Sequence, residues 1–142
     1  MIYQNQPEKF NPRFRVVACY LQHDGNFLLL HRLNHKSQGG KWGLPAGKVE
    51  AGENEREAMS REMREETGLM VTPENFKYFT TIYVRYPEYD FIYSMFSLEL
   101  DSLPAVQVNP NEHQNFRWMS RESALKIGLV DDLDECIKMF YQ

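Results

Sequence analysis

The chain has 142 residues, of which 42% are hydrophobic and 13% aromatic, so one domain spanning residues 1–142 with its own core is expected. Sixteen lysines and arginines against twenty aspartates and glutamates give a net charge of −4. This balance argues against a nucleic acid polymer as partner, because such partners usually require a basic face. A small nucleotide is compatible with this negative net charge, because metal ions can neutralise its phosphates.

The opening residues, MIYQNQPEKF, are polar, and no apolar run approaches the ~20 residues that a membrane-spanning helix needs. Cys19 and Cys136 each lie among apolar residues, which is typical of buried thiols in a reducing compartment. These features predict a cytoplasmic protein with no membrane partner.

The first half of the chain predicts strands. Residues 1–12 are expected to form a loose arm, and RFRVVACYLQ (13–22) is the first strand. Asp-Gly within HDGN predicts a tight hairpin into a second strand, NFLLLHR (26–32). A loop follows, and then KWGLPAG (41–47) is a short extended piece punctuated by glycine and proline.

The strongest helix candidate runs from Glu53 to Thr67, because it lacks glycine and proline and is followed by Gly68 as a C-terminal cap. Three further strands are predicted at FKYFTTIYVRY (76–86), DFIYSMFSLEL (90–100) and NFRWM (115–119).

Two helices are expected at the end of the chain. Ser120 predicts the start of one, and LVDDLDECIKMFY is amphipathic, with Leu133, Ile137 and Phe140 at helical spacing. Strands, helix, strands and helices in this order favour an α/β domain, with helices packed on a mixed sheet.

The predicted central helix is unusually acidic, since the stretch from Gly47 to Leu69 contains seven glutamates. Glu62, Glu65 and Glu66 fall on one helical face, where like charges repel by a few tenths of a kcal/mol per pair. A hard cation such as Mg²⁺ would offset that repulsion, because it prefers oxygen ligands. The alternative is an ordinary solvated, charged helix face.

The spacing of fixed residues in this stretch distinguishes the two interpretations. From Gly47, five residues lead to a glutamate and seven more to Arg-Glu, followed by Met63, one residue, Glu-Glu, one residue, Gly68 and Leu69. This pattern resembles the signature of the Nudix hydrolase family at all seven fixed positions. A chance match is on the order of 1 in 10⁸ per start position. The motif covers 23 residues, and the rest of the chain fits the family only in layout.

The resemblance implies a Nudix-type α/β/α sandwich with a mixed sheet. It also implies that Glu62, Glu65 and Glu66, together with the carbonyl of Gly47, hold Mg²⁺ or Mn²⁺. Glu53 and Arg61 would pair and orient the loop and the helix. Arginine suits this role because its planar guanidinium can hold a carboxylate with two hydrogen bonds. An ordinary surface pair is the alternative for these two residues.

By the same resemblance, the chain would hydrolyse a diphosphate linked to a nucleoside, with a nucleoside triphosphate split into a monophosphate and pyrophosphate as the first expectation. Glu62, Glu65 or Glu66 would accept a proton from water, and Glu112, in a later loop, is a second candidate. ADP-ribose, a nucleotide sugar or a dinucleoside polyphosphate are alternative substrates. A nucleotide-sensing module without turnover is the alternative from another class, and a homodimer is compatible with the family.

Each candidate residue for substrate binding also has an alternative, structural role. Arg32 could reach a phosphate or be a surface arginine, and Trp118 could stack on a base or belong to a core strand. Asp131, beside Asp132, could recognise a base, or the two could cap the last helix. The aromatic block YVRYPEYDFIYSMF (83–96) could line a pocket or an oligomer contact.

Overall fold

The computed structural model describes all 142 residues and contains one eight-stranded mixed sheet flanked by helices. The elements in chain order are β1 (Ile2–Tyr3), β2 (Pro12–His23), β3 (Asn26–Arg32), β4 (Trp42–Gly43), β5 (Ala46–Lys48), α1 (Glu55–Thr67), a 3₁₀ turn (Pro73–Asn75), β6 (Lys77–Arg85), β7 (Asp90–Glu99), β8 (His113–Met119), α2 (Arg121–Ala124) and α3 (Leu133–Phe140). None of these helices combines the length and the apolar character needed to cross a membrane.

The predicted hairpin between β2 and β3 is confirmed, and its turn has two residues. Asp24 and Gly25 have φ angles of 51° and 80°, both in the left-handed region that a tight hairpin turn requires. His23 pairs with Asn26 across the turn. This turn fixes the register from which the two strands then diverge.

Beyond the hairpin, the segment 41–49 lies between β2 and β3. Val17 of β2 opposes Gly47, while Leu30 of β3 opposes Gly43. On its other edge, β2 runs parallel to β7. The glycine that opens the acidic motif is therefore held by backbone pairing in the middle of the sheet.

Each face of the sheet carries its own apolar cluster, because side chains alternate along β2. Val17, Cys19 and Leu21 pack with α1 residues that include Met59 and Met63. Each fully buried methionine contributes about 1.5–3 kcal/mol. The α1 cluster therefore anchors the acidic helix firmly to one face of the sheet.

The opposite face of the sheet packs against α2 and α3. Ala18 and Tyr20 of β2 lie there with Leu133 and Ile137 of α3. The α/β/α sandwich with a mixed sheet is thus confirmed.

Helix α1 begins two residues later than the sequence predicts. Asn54 is the N-cap, and its side chain accepts a hydrogen bond from Glu57 N while the Glu57 carboxylate accepts one from Asn54 N. At the other end, Gly68 has the expected left-handed cap conformation, with φ 77°. Because the cap lies at Asn54, Glu53 stays outside the helix and can pair with a side chain.

The N-terminal arm is more ordered than predicted. Ile2 and Tyr3 form a short edge strand that pairs antiparallel with Val84 and Tyr83 of β6. Apolar and polar alternation cannot identify a strand of two residues, because the pattern needs at least four positions. The arm therefore completes the sheet beside β6.

Candidate active site

Arg61 connects α1 to the loop that precedes it. Its Nε and Nη2 donate to the two carboxylate oxygens of Glu53, at 2.7 and 3.0 Å, and Nη2 also donates to the Lys48 carbonyl at 2.9 Å. This bidentate bond lowers the pKa of Glu53 and raises that of Arg61. The structure thus places these two residues in the pairing that the resemblance implies.

Arg61 also contacts the acidic face of its own helix. Its Nη1 donates to Glu62 Oε1 at 2.7 Å and to Glu65 Oε2 at 3.3 Å. The Glu62 side chain is only 14% exposed, whereas Glu65 is 47% exposed. Burial raises the pKa of Glu62, although the bond from Arg61 opposes the rise. One guanidinium therefore compensates part of the charge of three glutamates.

The residues Ala46 and Gly47 lie directly against the acidic face. Glu66 Oε1 accepts a hydrogen bond from Ala46 N at 2.8 Å. A Cβ atom on Gly47 would collide with the Glu62 carboxylate, so only glycine allows this approach. Burial raises the pKa of Glu66 well above its usual range, and nearby Glu62 and Glu112 add to the rise while the Ala46 bond opposes it.

The candidate metal ligands are the carboxylates of Glu62, Glu65 and Glu66 and the carbonyl of Gly47, and their chemistry suits a hard divalent cation. All of them are carboxylate or carbonyl oxygens, and burial disfavours the charged forms of Glu62 and Glu66 that a cation would stabilise. No three acidic, histidine or cysteine side chains converge as a metal site, however. Glu62 and Glu65 bond to Arg61 and Glu66 to Ala46, so the expected convergence of the three carboxylates is not seen.

A cavity of about 290 Å³ extends from Gly47 and Glu66 to a wall of aromatic rings. The rings come from β2, from the connection between β6 and β7, and from β7: Phe14, Tyr86, Tyr89, Phe91 and Tyr93. The Phe14 centroid lies 5.2 Å from that of Phe91 and 5.4 Å from that of Tyr89. The aromatic block from β6 and β7 therefore lines a pocket, and Phe14, which sequence reasoning missed, joins it through the parallel pairing of β2 with β7.

Arg32 lies in the lining of this cavity, at the end of β3. Its Nε donates to the Ser37 carbonyl at 2.8 Å, which restrains the side chain. His113 also lines the cavity, is 4% exposed and has a buried Nδ1 with no hydrogen-bond partner. Burial, reinforced by Arg32, lowers the pKa of His113 to about 4. Sequence reasoning missed His113, the first residue of β8, because a lone histidine carries no spacing signal.

Glu112 does not line the cavity. Its Oε1 accepts from Lys36 Nζ at 3.4 Å, and the side chain is 44% exposed. Its charge nevertheless raises the pKa of Glu66. Glu112 therefore lies close enough to act electrostatically on the acidic cluster, without contributing to the walls.

Asp131 and Asp132 both line the cavity near its aromatic wall. Asp132 occupies the N-cap position of α3, but it has a left-handed φ of 66° and its side chain makes no cap hydrogen bond. The carboxylate of Asp131 lies 3.1 Å from Lys41 Nζ instead. Neither aspartate therefore caps α3 through its side chain, although Asp132 occupies the N-cap position.

Trp118 does not line the cavity. It packs against the apolar cluster on the α1 face, on β8 opposite Leu28. The prediction that this ring stacks on a substrate base is corrected in favour of the core alternative. A local pattern such as FRWMS does not reveal which face of a sheet a side chain takes within the whole fold.

The comparisons with known proteins agree with this geometry. The family model of the NUDIX domain matches residues 12–140. The CTP pyrophosphohydrolase of Escherichia coli K12 is 33% identical over 117 residues, which cover 81% of this chain and 82% of that protein. The phosphatase NudJ of Shigella boydii is 32% identical over 112 residues, which cover 78% of this chain and 71% of that protein.

Among solved structures, a MutT protein from Methanosarcina mazei is similar over 96% of both chains, with a TM-score of 0.77 and 28% identity. Fold, motif and family match therefore lead to one assignment. The chain belongs to the Nudix family and is, as its sequence predicted, a hydrolase of the pyrophosphohydrolase class.

Proposed function

We propose that this enzyme hydrolyses a nucleoside triphosphate or a related nucleotide to the monophosphate and pyrophosphate, with Mg²⁺ or Mn²⁺ as cofactor. The observation that supports it most is one cavity with the Glu66 carboxylate and Gly47 at one end and aromatic rings along its wall. Such a cavity can hold the phosphates and the base of one molecule at the same time. The pyrophosphohydrolase name of the E. coli relative supports the same reaction.

The acidic end would bind the metal. Glu62, Glu65 and Glu66, with the Gly47 carbonyl, are the oxygens that would hold it. A bound Mg²⁺ neutralises phosphate oxygens and acidifies a water molecule. For that to happen, the Glu62 and Glu65 carboxylates would exchange their bonds with Arg61 for the cation.

The chain's own groups would complete the site. Arg32 would bind a phosphate, since its cation lines the cavity and lies near Glu66. One of Glu62, Glu65 and Glu66 would accept the proton of the attacking water, and Glu66 is preferred because it is the one of the three that lines the cavity. Glu112 would act on Glu66 through its charge, and a direct catalytic role is the alternative.

The other end would hold the nucleoside. The rings of Phe14, Tyr89 and Phe91 offer a surface for a base and exclude water from that part of the cavity. Asp131 supplies a polar group beside them. We expect a cytoplasmic, single-domain enzyme whose partner is this small nucleotide, and a homodimer stays a prediction from the family.

The test is a substrate panel. The purified protein is incubated with Mg²⁺ or Mn²⁺ and each of the common nucleoside triphosphates, ADP-ribose, nucleotide sugars and dinucleoside polyphosphates, in water enriched in ¹⁸O. We expect one or more triphosphates to give monophosphate and pyrophosphate, with ¹⁸O in only one product, which identifies the attacked phosphorus. Turnover of ADP-ribose or a nucleotide sugar alone would overturn the proposed substrate class and leave the chemistry intact.

A further inference from the structure

His113, the first residue of β8, is a buried polar side chain whose hydrogen bonds the protein does not complete. It is 4% exposed, and its Nδ1 is buried without a hydrogen-bond partner. The large majority of buried side-chain polar atoms are hydrogen-bonded, because an unpaired one destabilises the fold. The His113 ring lines the cavity, so a molecule bound in the cavity can supply the missing partner.

The backbone around His113 is held on both sides. His113 is paired with Arg32 across β8 and β3, and its N donates to the Asn109 carbonyl at 2.9 Å. The side chain of Gln114 donates to the Arg32 carbonyl, also at 2.9 Å. These bonds fix the ends of both strands, so the His113 ring and the Arg32 guanidinium are presented to the cavity from neighbouring strands.

The imidazole of His113 is neutral near pH 7. Burial lowers its pKa to about 4, and Arg32 and His31 lower it as well, while Glu112 opposes them. A neutral imidazole has one N–H donor and one acceptor nitrogen. His113 therefore adds a hydrogen-bond donor to the cavity without placing a second positive charge beside Arg32.

The neighbours of His113 indicate which ligand group this donor would bind. Arg32 lines the same cavity, and its charge affects the pKa of both His113 and Glu66. Phosphate oxygens only accept hydrogen bonds, and their negative charge favours a guanidinium partner. A neutral N–H next to a guanidinium therefore matches two oxygens of a phosphate chain.

We propose that His113 donates a hydrogen bond to the diphosphate of the substrate, beside the Arg32 guanidinium, and so positions the diphosphate for attack by water. This inference rests on the proposed function, since it requires the phosphates to lie at the end of the cavity where Arg32 lies. The ring binds through a hydrogen bond and takes no proton from water. In the free protein the same unpaired ring destabilises the fold, which is the opposite of what a structural histidine does.

The substitution His113→Leu separates these two roles. Leucine has a similar volume and no polar atom, so we expect the melting temperature of the free protein to rise by about 2–4 °C. Affinity for inorganic pyrophosphate with Mg²⁺, measured by titration calorimetry, should fall about tenfold, because one hydrogen bond to a charged group is lost. The variant His113→Gln keeps an amide donor and should bind pyrophosphate within about threefold of wild type.

His23→Leu is the matched control for His113→Leu. His23 lies outside the cavity lining, and its Nδ1 is 2.9 Å from the Leu100 carbonyl. Loss of this hydrogen bond should lower the melting temperature and leave the affinity for pyrophosphate unchanged.

A second measurement uses the wild-type protein. The NMR signals of the His113 ring are identified by their absence from the spectrum of His113→Gln. At neutral pH, we expect these signals to shift when pyrophosphate is added, while those of His23 stay in place.

The outcomes separate this inference from the proposed function. If the wild-type His113 signals do not move, or if His113→Leu binds pyrophosphate as tightly as wild type, the inference is overturned, even if the enzyme hydrolyses triphosphates. A melting temperature lowered as in His23→Leu would also overturn it, because the ring would then be structural. If pyrophosphate binding depends on His113 as described but no triphosphate is hydrolysed, the inference holds and the proposed substrate is wrong.

Discussion

The two ends of the cavity are built in different ways. The acidic end comes almost entirely from one continuous stretch. Gly47 and Glu66 line the cavity, Glu62 lies against Gly47, and Arg61 donates to Glu62. The aromatic end is assembled from β2, from the β6–β7 hairpin and from the α2–α3 connection, which carries Asp131. The reaction chemistry is thus encoded locally, whereas substrate recognition depends on how distant segments pack.

The two ends also differ in how strongly they are restrained. Arg61 makes several short bonds in a largely buried setting, while the pair of Lys41 with Asp131 is exposed. A change at the acidic end should therefore affect both turnover and stability. A change at the aromatic end should instead affect binding of the substrate. Variants at the two ends test this difference.

The largest effect is expected for Glu66→Gln. The amide can still accept the hydrogen bond from Ala46 N, so the fold should persist, but the charge and the basicity are lost. We expect kcat to fall about 10³-fold, within the range for a general base, with pyrophosphate release as the assay. Glu65→Gln should also lower kcat by orders of magnitude.

Glu74→Gln is the matched control for these variants, because Glu74 is exposed in the 3₁₀ turn and lies outside the cavity. It should keep wild-type turnover. Near-normal kcat in both Glu65→Gln and Glu66→Gln would refute the assignment of the acidic end to the reaction.

The next effect is on stability, for Arg61→Lys. Lysine cannot make the two parallel bonds to Glu53 and also bond to Glu62, so the buried Glu62 loses much of its compensation. We expect the free energy of unfolding in urea to fall by about 2 kcal/mol, less than for a fully buried pair.

Arg64→Lys on the same helix is the control for Arg61→Lys, because Arg64 is exposed and takes part in no ion pair. Its unfolding free energy should stay within about 0.5 kcal/mol of wild type. If both arginine variants unfold at the same urea concentration, Arg61 does not stabilise the acidic end.

The smallest effect is expected at the aromatic end, for Tyr89→Ala. Loss of one stacking ring should cost about 1.4 kcal/mol of binding, which raises KM about tenfold and leaves kcat nearly unchanged. Tyr78→Ala is the control, since this exposed tyrosine lies outside the cavity. A fall in kcat equal to the rise in KM would show that the two ends do not act separately.

The sequence by itself determined the parts of this protein that follow local rules. The hairpin at Asp24 and Gly25, the cap at Gly68 and the helical face with Glu62 and Glu66 all depend on residues within a few positions of one another. Their spacing repeats the period of a helix or a turn, so it can be recognised without knowledge of the fold. The motif and the enzyme class follow from the same local information.

Only the tertiary structure decided the rest. The ring of Phe14 meets Phe91 because β2 pairs in parallel with β7, while Trp118 turns to the α1 face and Gln38 bonds to Asp131 across the chain. Each of these contacts joins residues far apart in sequence. Their positions depend on strand order and on which face each side chain takes, and local propensity specifies neither.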